Sequence, residues 1–207
     1  MKAITGYSQY KNDIFNKLAF HFEPGKRILD VGCGDASDAE IFIKEFDLDV
    51  YGIDVYKHEN VDKLPNLHFL KADIFNIPHD NDSFDYVFLH DVLHHIDENE
   101  QSRDKHMRGL AEIKRVTRKN GVIIIIEGNR YNPLFYPHMV KMLGHEHWKQ
   151  SYFINTMQRA FQNVEFKHFE AHAYPWALSF WKVYEYCMEN FAPEKFLAYN
   201  AAIIKND

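Results

Sequence analysis

The chain has 207 residues, 46% of them hydrophobic and 15% aromatic, which is enough for one domain with a full core. A formal net charge of −6 argues against nucleic acid as a partner, and no apolar run is long enough to span a bilayer. Cys33 and Cys187 provide neither a disulfide framework nor a zinc spacing. Together with an N-terminus that lacks a signal-peptide pattern, they predict a cytoplasmic protein.

Strands and helices alternate along the first part of the chain. The apolar pattern predicts strands over 27–31, 49–55, 67–72, 85–90 and 121–127, and helices over 38–46 and 98–118. Continuously apolar strands separated by helices indicate an α/β fold, with a parallel sheet covered by helices on both faces. In such a sheet, ligands bind beyond the carboxyl ends of the strands.

The pattern after Gly128 is less regular. It predicts a helix over 152–161, a strand over 164–170, a helix over 176–191 and a last strand over 199–204. With no repeat or linker in the sequence, residues 1–207 are predicted to form a single domain, in which 129–151 and 171–197 are substrate-side insertions. The aromatic helix over 176–191 packs in the core, and its surplus Trp181 and Tyr186 belong either to an apolar acceptor pocket or to a dimer face.

A G-x-G turn follows the first predicted strand in the stretch ILDVGCGDAS, residues 28–37. Glycines there let the backbone approach an adenosine cofactor closely, although a tight turn without a ligand has the same pattern. Asp54 ends the next strand, where an acid can accept both ribose hydroxyl protons. Asp30 and Asp35 flank the glycines and suit a cation better than a pyrophosphate, which favours a sulfonium cofactor over the alternative, a nicotinamide.

Four segments resemble the successive motifs of class I S-adenosylmethionine-dependent methyltransferases: ILDVGCGDAS, YGIDV, FLKADIFNIPHDNDSFDYVFLHDVLHHI and RVTRKNGVIIIIEG. The resemblance implies a Rossmann-like, mostly parallel seven-stranded sheet whose last strand is antiparallel, and S-adenosyl-L-methionine as cofactor. It also implies the roles of the cofactor-binding residues. These are Asp30, Gly32 and Gly34 on the methionine part, Asp54 with Val55 on the ribose, Asp73 with Ile74 on the adenine, and His90 facing cofactor and substrate.

The turn departs from the family pattern at one position. Ala36 stands where the family often has a third glycine. Alanine disfavours a positive φ, so we expect it to be tolerated there if its φ is negative, and the geometry of the turn stays open.

Methyl transfer from a sulfonium is an in-line displacement that mainly requires alignment, and a base is needed only for an acceptor that keeps its proton. His90 and His94 are the predicted catalytic residues, with a structural role in tying the loop to the core as the alternative. Asp91, His94 and His95 are adjacent, but adjacency alone does not imply three metal ligands, and no metal is predicted.

The region after the fifth strand provides the predicted substrate-binding residues, Asn129, Arg130, Tyr131 and Trp148. Arg130 suits a carboxylate or phosphate, although Asn132-Pro133 also indicates a plain turn. The histidines at 138, 145 and 147 are expected to be solvated or to lie in a lid.

The sequence therefore predicts methyl transfer to a small or modestly apolar acceptor, with a non-catalytic S-adenosylmethionine-binding sensor or partner subunit as the alternative. The partner is a small-molecule acceptor, without nucleic acid or a membrane span, and a homodimer stays open.

Overall fold

One mixed sheet of seven strands organises the protein. The computed structural model describes residues 5, 9–97, 100–142, 144, 147–172 and 178–207. The strands are β1 (Arg27–Val31), β2 (Asp49–Asp54), β3 (Leu67–Lys71), β4 (Phe84–His90), β5 (Thr117–Gly128), β6 (Val164–Phe169) and β7 (Tyr199–Lys205). Their order is β3-β2-β1-β4-β5-β7-β6, and β7 runs antiparallel to both β5 and β6. The predicted Rossmann-like fold with an antiparallel last strand is confirmed.

Two apolar layers sandwich the sheet, because alternate residues of each strand point to opposite faces. On one face, Ile124 and Ile126 of β5 pack in a cluster with α1 (Gln9–Leu18) and α2 (Ser37–Lys44). On the other face, Ile123 and Ile125 pack in a cluster with α3 (Arg103–Val116) and α4 (Gln150–Ala160). The fifth helix, α5 (Leu178–Phe191), exposes several large apolar side chains.

The chain departs from the sequence prediction at three places. The helix α1, which was not predicted, buries Ile14 and Leu18 against the sheet. The helix α3 begins at Arg103 rather than 98 and ends at Val116, because Thr117 already has the extended backbone of β5. The first residues of β5 pair irregularly: Thr117 lies opposite Phe84 and Val122 opposite Tyr86. A bulge of this kind interrupts the regular alternation of a strand, so the start of the strand cannot be predicted from hydrophobic periodicity.

The strand order places the candidate site. It reverses between β1 and β4, which lie side by side although β2 and β3 come between them in the chain. Ligands of open α/β sheets bind at such a switch point, outside the carboxyl ends of the strands. Within the described part of the chain, no helix has the length and apolar character needed to cross a membrane.

Candidate functional site

The glycine turn after β1 is fastened to the end of β2. Both Gly32 N and Cys33 N donate to the carbonyl of Ile53, at 2.8 and 3.1 Å. Gly32 has φ +69, and a Cβ added there would lie 2.6 Å from Cγ2 of Val92. Gly34 also has a positive φ, of +48. The turn therefore needs glycine at both positions, for backbone conformation and, at Gly32, for space.

Ala36 does not meet the condition under which alanine was expected to be tolerated, because its φ is +62 rather than negative. Its backbone N–H donates to Cys33 O at 2.8 Å, while Asp35 Oδ1 accepts from Ser37 N at 3.1 Å. The methyl group is fully buried. Hydrogen bonds on both sides and a packed methyl group thus hold alanine in a left-handed conformation that it rarely adopts.

A cavity of about 580 Å³ opens at this edge of the sheet. This volume lies in the range of small-molecule sites. Seven of the predicted cofactor-binding residues line it, namely Gly32, Gly34, Asp54, Val55, Asp73, Ile74 and His90. The eighth, Asp30, is 2% exposed and is not a lining residue. Asp91 and His95 also line the cavity, whereas His94 does not.

Two acids stand at successive strand ends along the cavity. Asp54 Oδ2 accepts from Gly34 N at 2.9 Å, and its Oδ1 accepts from Tyr56 N at 3.2 Å. Asp73 Oδ1 accepts from Phe75 N at 2.8 Å. Since an ionised carboxylate has about four acceptor positions, both acids are oriented by the backbone and can still accept from a nucleoside.

Two buried acids near the glycine turn are incompletely satisfied. Among the described residues, Asp30 Oδ2 and Asp38 Oδ1 find no hydrogen-bond partner. Burial, strengthened by the negative charge of Asp38, raises the pKa of Asp30 well above its usual range. A cationic group at this end of the cavity would lower the free-energy cost of burying a charged Asp30 and the cost of leaving these two oxygen atoms without a partner. The residues therefore fit the sulfonium and ammonium groups of S-adenosylmethionine.

Lys11 of α1 joins the site through an ion pair. Its Nζ lies 2.7 Å from Asp38 Oδ2 and 3.1 Å from His90 Nδ1, and Asp38 Oδ2 lies 2.9 Å from the same His90 nitrogen. Burial alone would raise the pKa of Asp38, but Lys11 and His90 outweigh it and lower this pKa below its usual range. The His90 ring is thus held at Nδ1, while its buried Nε2 has no hydrogen-bond partner among the described residues and lies 3.8 Å from Asp91 Oδ2.

A second group of histidines lies next to Asp91. His94 is 2% exposed, and its Nδ1 lies 2.7 Å from Oε2 of the fully buried Glu127. His147, expected to be solvated or in a lid, is only 8% exposed, and its ring centroid lies 4.6 Å from that of His94. Burial lowers the pKa of His147, which keeps its imidazole neutral at neutral pH. Residues 145 and 146 and the side chain of residue 138 lie outside what the structure describes.

The four predicted substrate-binding residues do not line the cavity. Asn129 is buried, and its Nδ2 donates to Lys195 O and Leu197 O at 2.9 and 2.8 Å. Trp148 is 3% exposed and donates to Gln101 Oε1 at 2.7 Å. These contacts give Asn129 and Trp148 a structural role. A part in acceptor binding stays a prediction for both, as it does for Arg130 and the 44% exposed Tyr131.

Sequence reasoning missed Lys11, Asp38 and Glu127 as residues of the site. Glu127 has a recognisable signal, since it is an acid at the end of the most apolar strand. Lys11 has no recognisable signal in the sequence, because only the packing of α1 brings it to His90.

The geometry defines a class of protein: a Rossmann-like domain whose acids and glycine turn suit an adenosyl sulfonium. The sequence profile of the family described as "Methyltransferase domain" matches residues 29–125, the part of the chain that runs from β1 into β5. Residues 29–125 therefore carry a domain of the class I S-adenosylmethionine-dependent methyltransferase type, for which S-adenosylmethionine is the cofactor.

Three comparisons place the chain among known proteins. Phthiotriol/phenolphthiotriol dimycocerosates methyltransferase 1 of Mycobacterium ulcerans is 29% identical over 121 residues, which are 54% of this chain and 41% of that protein. Phosphoethanolamine N-methyltransferase 2 of Caenorhabditis elegans is 33% identical over 88 residues, 39% of this chain and 20% of that protein. The chain thus spans less than half the length of these relatives.

A crystal structure of a SAM-dependent methyltransferase from Archaeoglobus fulgidus superposes with a TM-score of 0.67 at 15% identity, covering 98% of this chain and 96% of that one. At this identity, the superposition supports the fold alone.

Proposed function

We propose that the protein transfers the methyl group of S-adenosylmethionine to a small or modestly apolar acceptor. One observation carries the proposal: a single cavity has Asp54 and Asp73 at its wall, and the incompletely satisfied Asp30 and Asp38 lie by the glycine turn. The bound cofactor supplies a methyl group on a positively charged sulfur. A neutral or anionic ligand would leave the buried Asp30 without a counter-charge, whereas Asp38 already has Lys11.

Alignment is the main contribution of the chain. Asp54 holds the ribose, Asp73 with the backbone at Ile74 holds the adenine, and the backbone at Gly32 and Gly34 accommodates the methionine part. The acceptor approaches from the side of Asp91 and His95, so that its lone pair forms a bond to the methyl carbon as the carbon–sulfur bond breaks. Fixing such an in-line geometry can lower a barrier by about 7–11 kcal/mol.

His90 is the residue best placed to take a proton from a hydroxyl or ammonium acceptor. It lines the cavity, Asp38 and Lys11 flank its Nδ1, and its Nε2 has no hydrogen-bond partner in the described structure. His94, the second predicted base, is engaged with Glu127 outside the cavity lining, and we assign it to positioning rather than to proton transfer.

One feature supports an acceptor that is at least partly apolar. The relatives named above act on a phthiotriol dimycocerosate and on phosphoethanolamine, which differ widely in polarity and do not decide between the two kinds of acceptor. On this chain, α5 exposes Phe180, Val183 and Tyr186, each about 60% accessible. The dimer face, the cytoplasmic location and the substrate-side role of the insertions stay predictions from the sequence.

Isothermal titration with S-adenosylmethionine and S-adenosylhomocysteine tests the first half of the proposal. We expect micromolar binding of both, a loss of affinity of at least about tenfold in Asp54→Ala, and a smaller loss in His94→Ala. Asp62→Ala, at an exposed aspartate outside the cavity lining, is the matched control and should bind normally. If a folded sample gives heat with neither ligand, the proposal fails.

A panel of hydroxyl and amine metabolites, read out as S-adenosylhomocysteine formed, tests the second half. Turnover of a member that depends on His90 supports catalysis as proposed. Cofactor binding without turnover of any panel member supports the sensor or partner subunit instead. Binding of a nicotinamide cofactor that tolerates Asp73→Ala would favour an oxidoreductase.

A further inference from the structure

Three potential metal ligands from distant parts of the chain meet beside the cofactor cavity. Asp91, His94 and His147 each present one ligand atom, and these atoms lie within 4.8 Å of one another. Asp91 and His94 follow β4, whereas His147 comes from the segment between β5 and α4. Two imidazoles and one carboxylate form a donor set that binds divalent transition metals and leaves coordination positions open.

The strongest indication is the state of His147. It is more than nine-tenths buried, and neither ring nitrogen has a hydrogen-bond partner in the described part of the chain. Because buried polar groups are nearly always paired, an imidazole with two unpaired nitrogens calls for a missing partner. The backbone leaves room for this ring, since a Cβ added to Gly128 would lie 2.8 Å from His147 Nδ1.

The other two ligands are already oriented. Glu127 Oε2 holds Nδ1 of His94 at 2.7 Å, so a neutral His94 that donates from Nδ1 has its lone pair on Nε2. Carboxylates that hold a ligating histidine in this way are typical of metal sites. Asp91 Oδ1 accepts from Gly128 N at 2.7 Å, and Asp91 has a strained φ of +56. Both constraints fix the carboxylate, and backbone strain of this kind clusters at functional positions.

We propose that Asp91, His94 and His147 bind one divalent transition-metal ion, with Zn²⁺ as the best match. Imidazole nitrogens disfavour Mg²⁺ and Ca²⁺, which take oxygen ligands. Zinc–nitrogen bonds of about 2.0–2.1 Å bring tetrahedral ligand atoms about 3.3 Å apart, so ligand atoms that lie within 4.8 Å of one another must close by at most about 1.5 Å on binding.

The position of the ion gives it a role that rests on the methyltransferase function proposed above. Asp91 belongs both to the cluster and to the lining of the cofactor cavity. An ion held by Asp91 would bind an acceptor oxygen in its open position and lower the pKa of a hydroxyl there. The hydroxyl proton would pass to His90 or water, and the oxygen would form its bond to the methyl carbon as the bond from that carbon to the cofactor sulfur breaks. The substrate class is therefore an acceptor in which the methylated atom is a hydroxyl oxygen.

Metal binding by the whole protein tests the proposal without an acceptor. The purified chain is stripped with a chelator, dialysed and titrated with Zn²⁺, and separately with Co²⁺. We expect one zinc per chain by elemental analysis, and visible d–d absorption of Co²⁺ that added Zn²⁺ abolishes. Absence of stoichiometric binding by either ion, in protein that is folded by circular dichroism, overturns the proposal.

Two variants locate the ion. His147→Gln removes a ligand, and Asp91→Asn removes the charge while keeping an acceptor for Gly128 N and tolerating the positive φ. Each should weaken zinc binding by at least about tenfold, as should Glu127→Gln through His94. His68→Ala removes an exposed histidine of β3 and should bind zinc as the wild type does. Unchanged affinity in Asp91→Asn and His147→Gln overturns the assignment, and if either variant does not fold, the other decides.

Titration with S-adenosylhomocysteine in the same samples separates this inference from the proposed function. Cofactor binding without metal binding refutes the metal site and leaves the methyltransferase proposal intact. Metal binding without cofactor binding refutes the methyltransferase proposal and leaves the metal site intact.

Discussion

Glu127 and His94 are joined inside the protein, with Glu127 Oε2 and His94 Nδ1 2.7 Å apart. The other carboxylate oxygen, Oε1, accepts from Val92 N at 3.1 Å and from Leu93 N at 2.6 Å. One fully buried side chain at the end of β5 therefore fixes the loop after β4, whose first residues line the cofactor cavity. A buried carboxylate with three hydrogen bonds is expected to stabilise the fold as well as shape the site.

Replacing Glu127 tests this relationship. Glu127→Ala removes the acceptor of two backbone N–H groups and of His94 Nδ1, and should lower the free energy of unfolding by about 3–5 kcal/mol. Glu127→Gln keeps an acceptor for the N–H groups and should cost about 1–3 kcal/mol. Urea denaturation of apo protein measures both. Equal losses in the two variants would show that the negative charge of Glu127, which both remove, matters rather than its hydrogen bonds to the backbone N–H groups.

The second prediction concerns the left-handed Ala36. In Ala36→Gly, relief of a backbone cost of about 1–2 kcal/mol opposes the loss of a buried methyl group worth about 0.8 kcal/mol. The free energy of unfolding should therefore stay within about 1 kcal/mol of the wild-type value. Ala39→Gly is the matched control, because Ala39 is equally buried but lies inside α2.

In Ala39→Gly, helix propensity and burial act in the same direction, so a loss of about 2 kcal/mol is expected. Urea denaturation should place Ala36→Gly clearly above Ala39→Gly in stability. The reverse order would contradict the left-handed conformation of Ala36.

These residues show what a sequence can and cannot predict. The strands and the glycine turn were predictable because continuous apolar runs and G-x-G spacing are local signals, and strand ends gather at one edge of a parallel sheet whatever the loops do. Asp54, Asp73 and His90 reached the cavity for that reason. The φ of Ala36 was not predictable, because local propensity favours the negative value that packing and hydrogen bonds override.

Contacts between distant segments were not predictable. His147 lies beside His94 because its neighbour Trp148 forms an isolated bridge with Asn129 just after β5, and its burial has no periodic signal. Lys11 reaches Asp38 through α1, a helix with too short an apolar stripe to be predicted. Tertiary packing, rather than propensity, placed both.

The ion pair between Lys11 and Asp38 yields the third prediction. Their charged atoms lie 2.7 Å apart, and the two side chains are 17% and 10% exposed. Either Lys11→Met or Asp38→Asn should destabilise the protein by about 3 kcal/mol, because each leaves a mostly buried charge without its main partner. The double variant should lose about 1–3 kcal/mol less than the sum of the single losses.

A control cycle pairs Lys11→Met with Asp62→Asn, since Asp62 is exposed and has its own partner, Lys57. Those two changes should be additive within about 0.5 kcal/mol in urea denaturation. Additivity of the Lys11 and Asp38 changes as well would contradict a direct ion pair.

The last prediction concerns stability at acid pH and His106 of α3. The residue is fully buried, its Nδ1 lies 2.8 Å from the hydroxyl of Tyr152, and its Nε2 has no partner in the described structure. Burial lowers the pKa of His106, and the negative charges of Asp97 and Glu127 only partly oppose this. The unfolded chain therefore binds a proton at higher pH than the native one, so stability present above about pH 6.5 is lost as the pH falls toward the native pKa.

In His106→Gln, a side chain that is neutral at every pH replaces the imidazole and can still bond to Tyr152. The wild type should lose up to about 2 kcal/mol more than His106→Gln between about pH 7 and pH 5, as measured by urea denaturation across that range. His68→Gln, at an exposed histidine, should follow the wild-type slope. Parallel curves for the wild type and His106→Gln would show that His106 accepts its proton as readily in the native protein as in the unfolded chain.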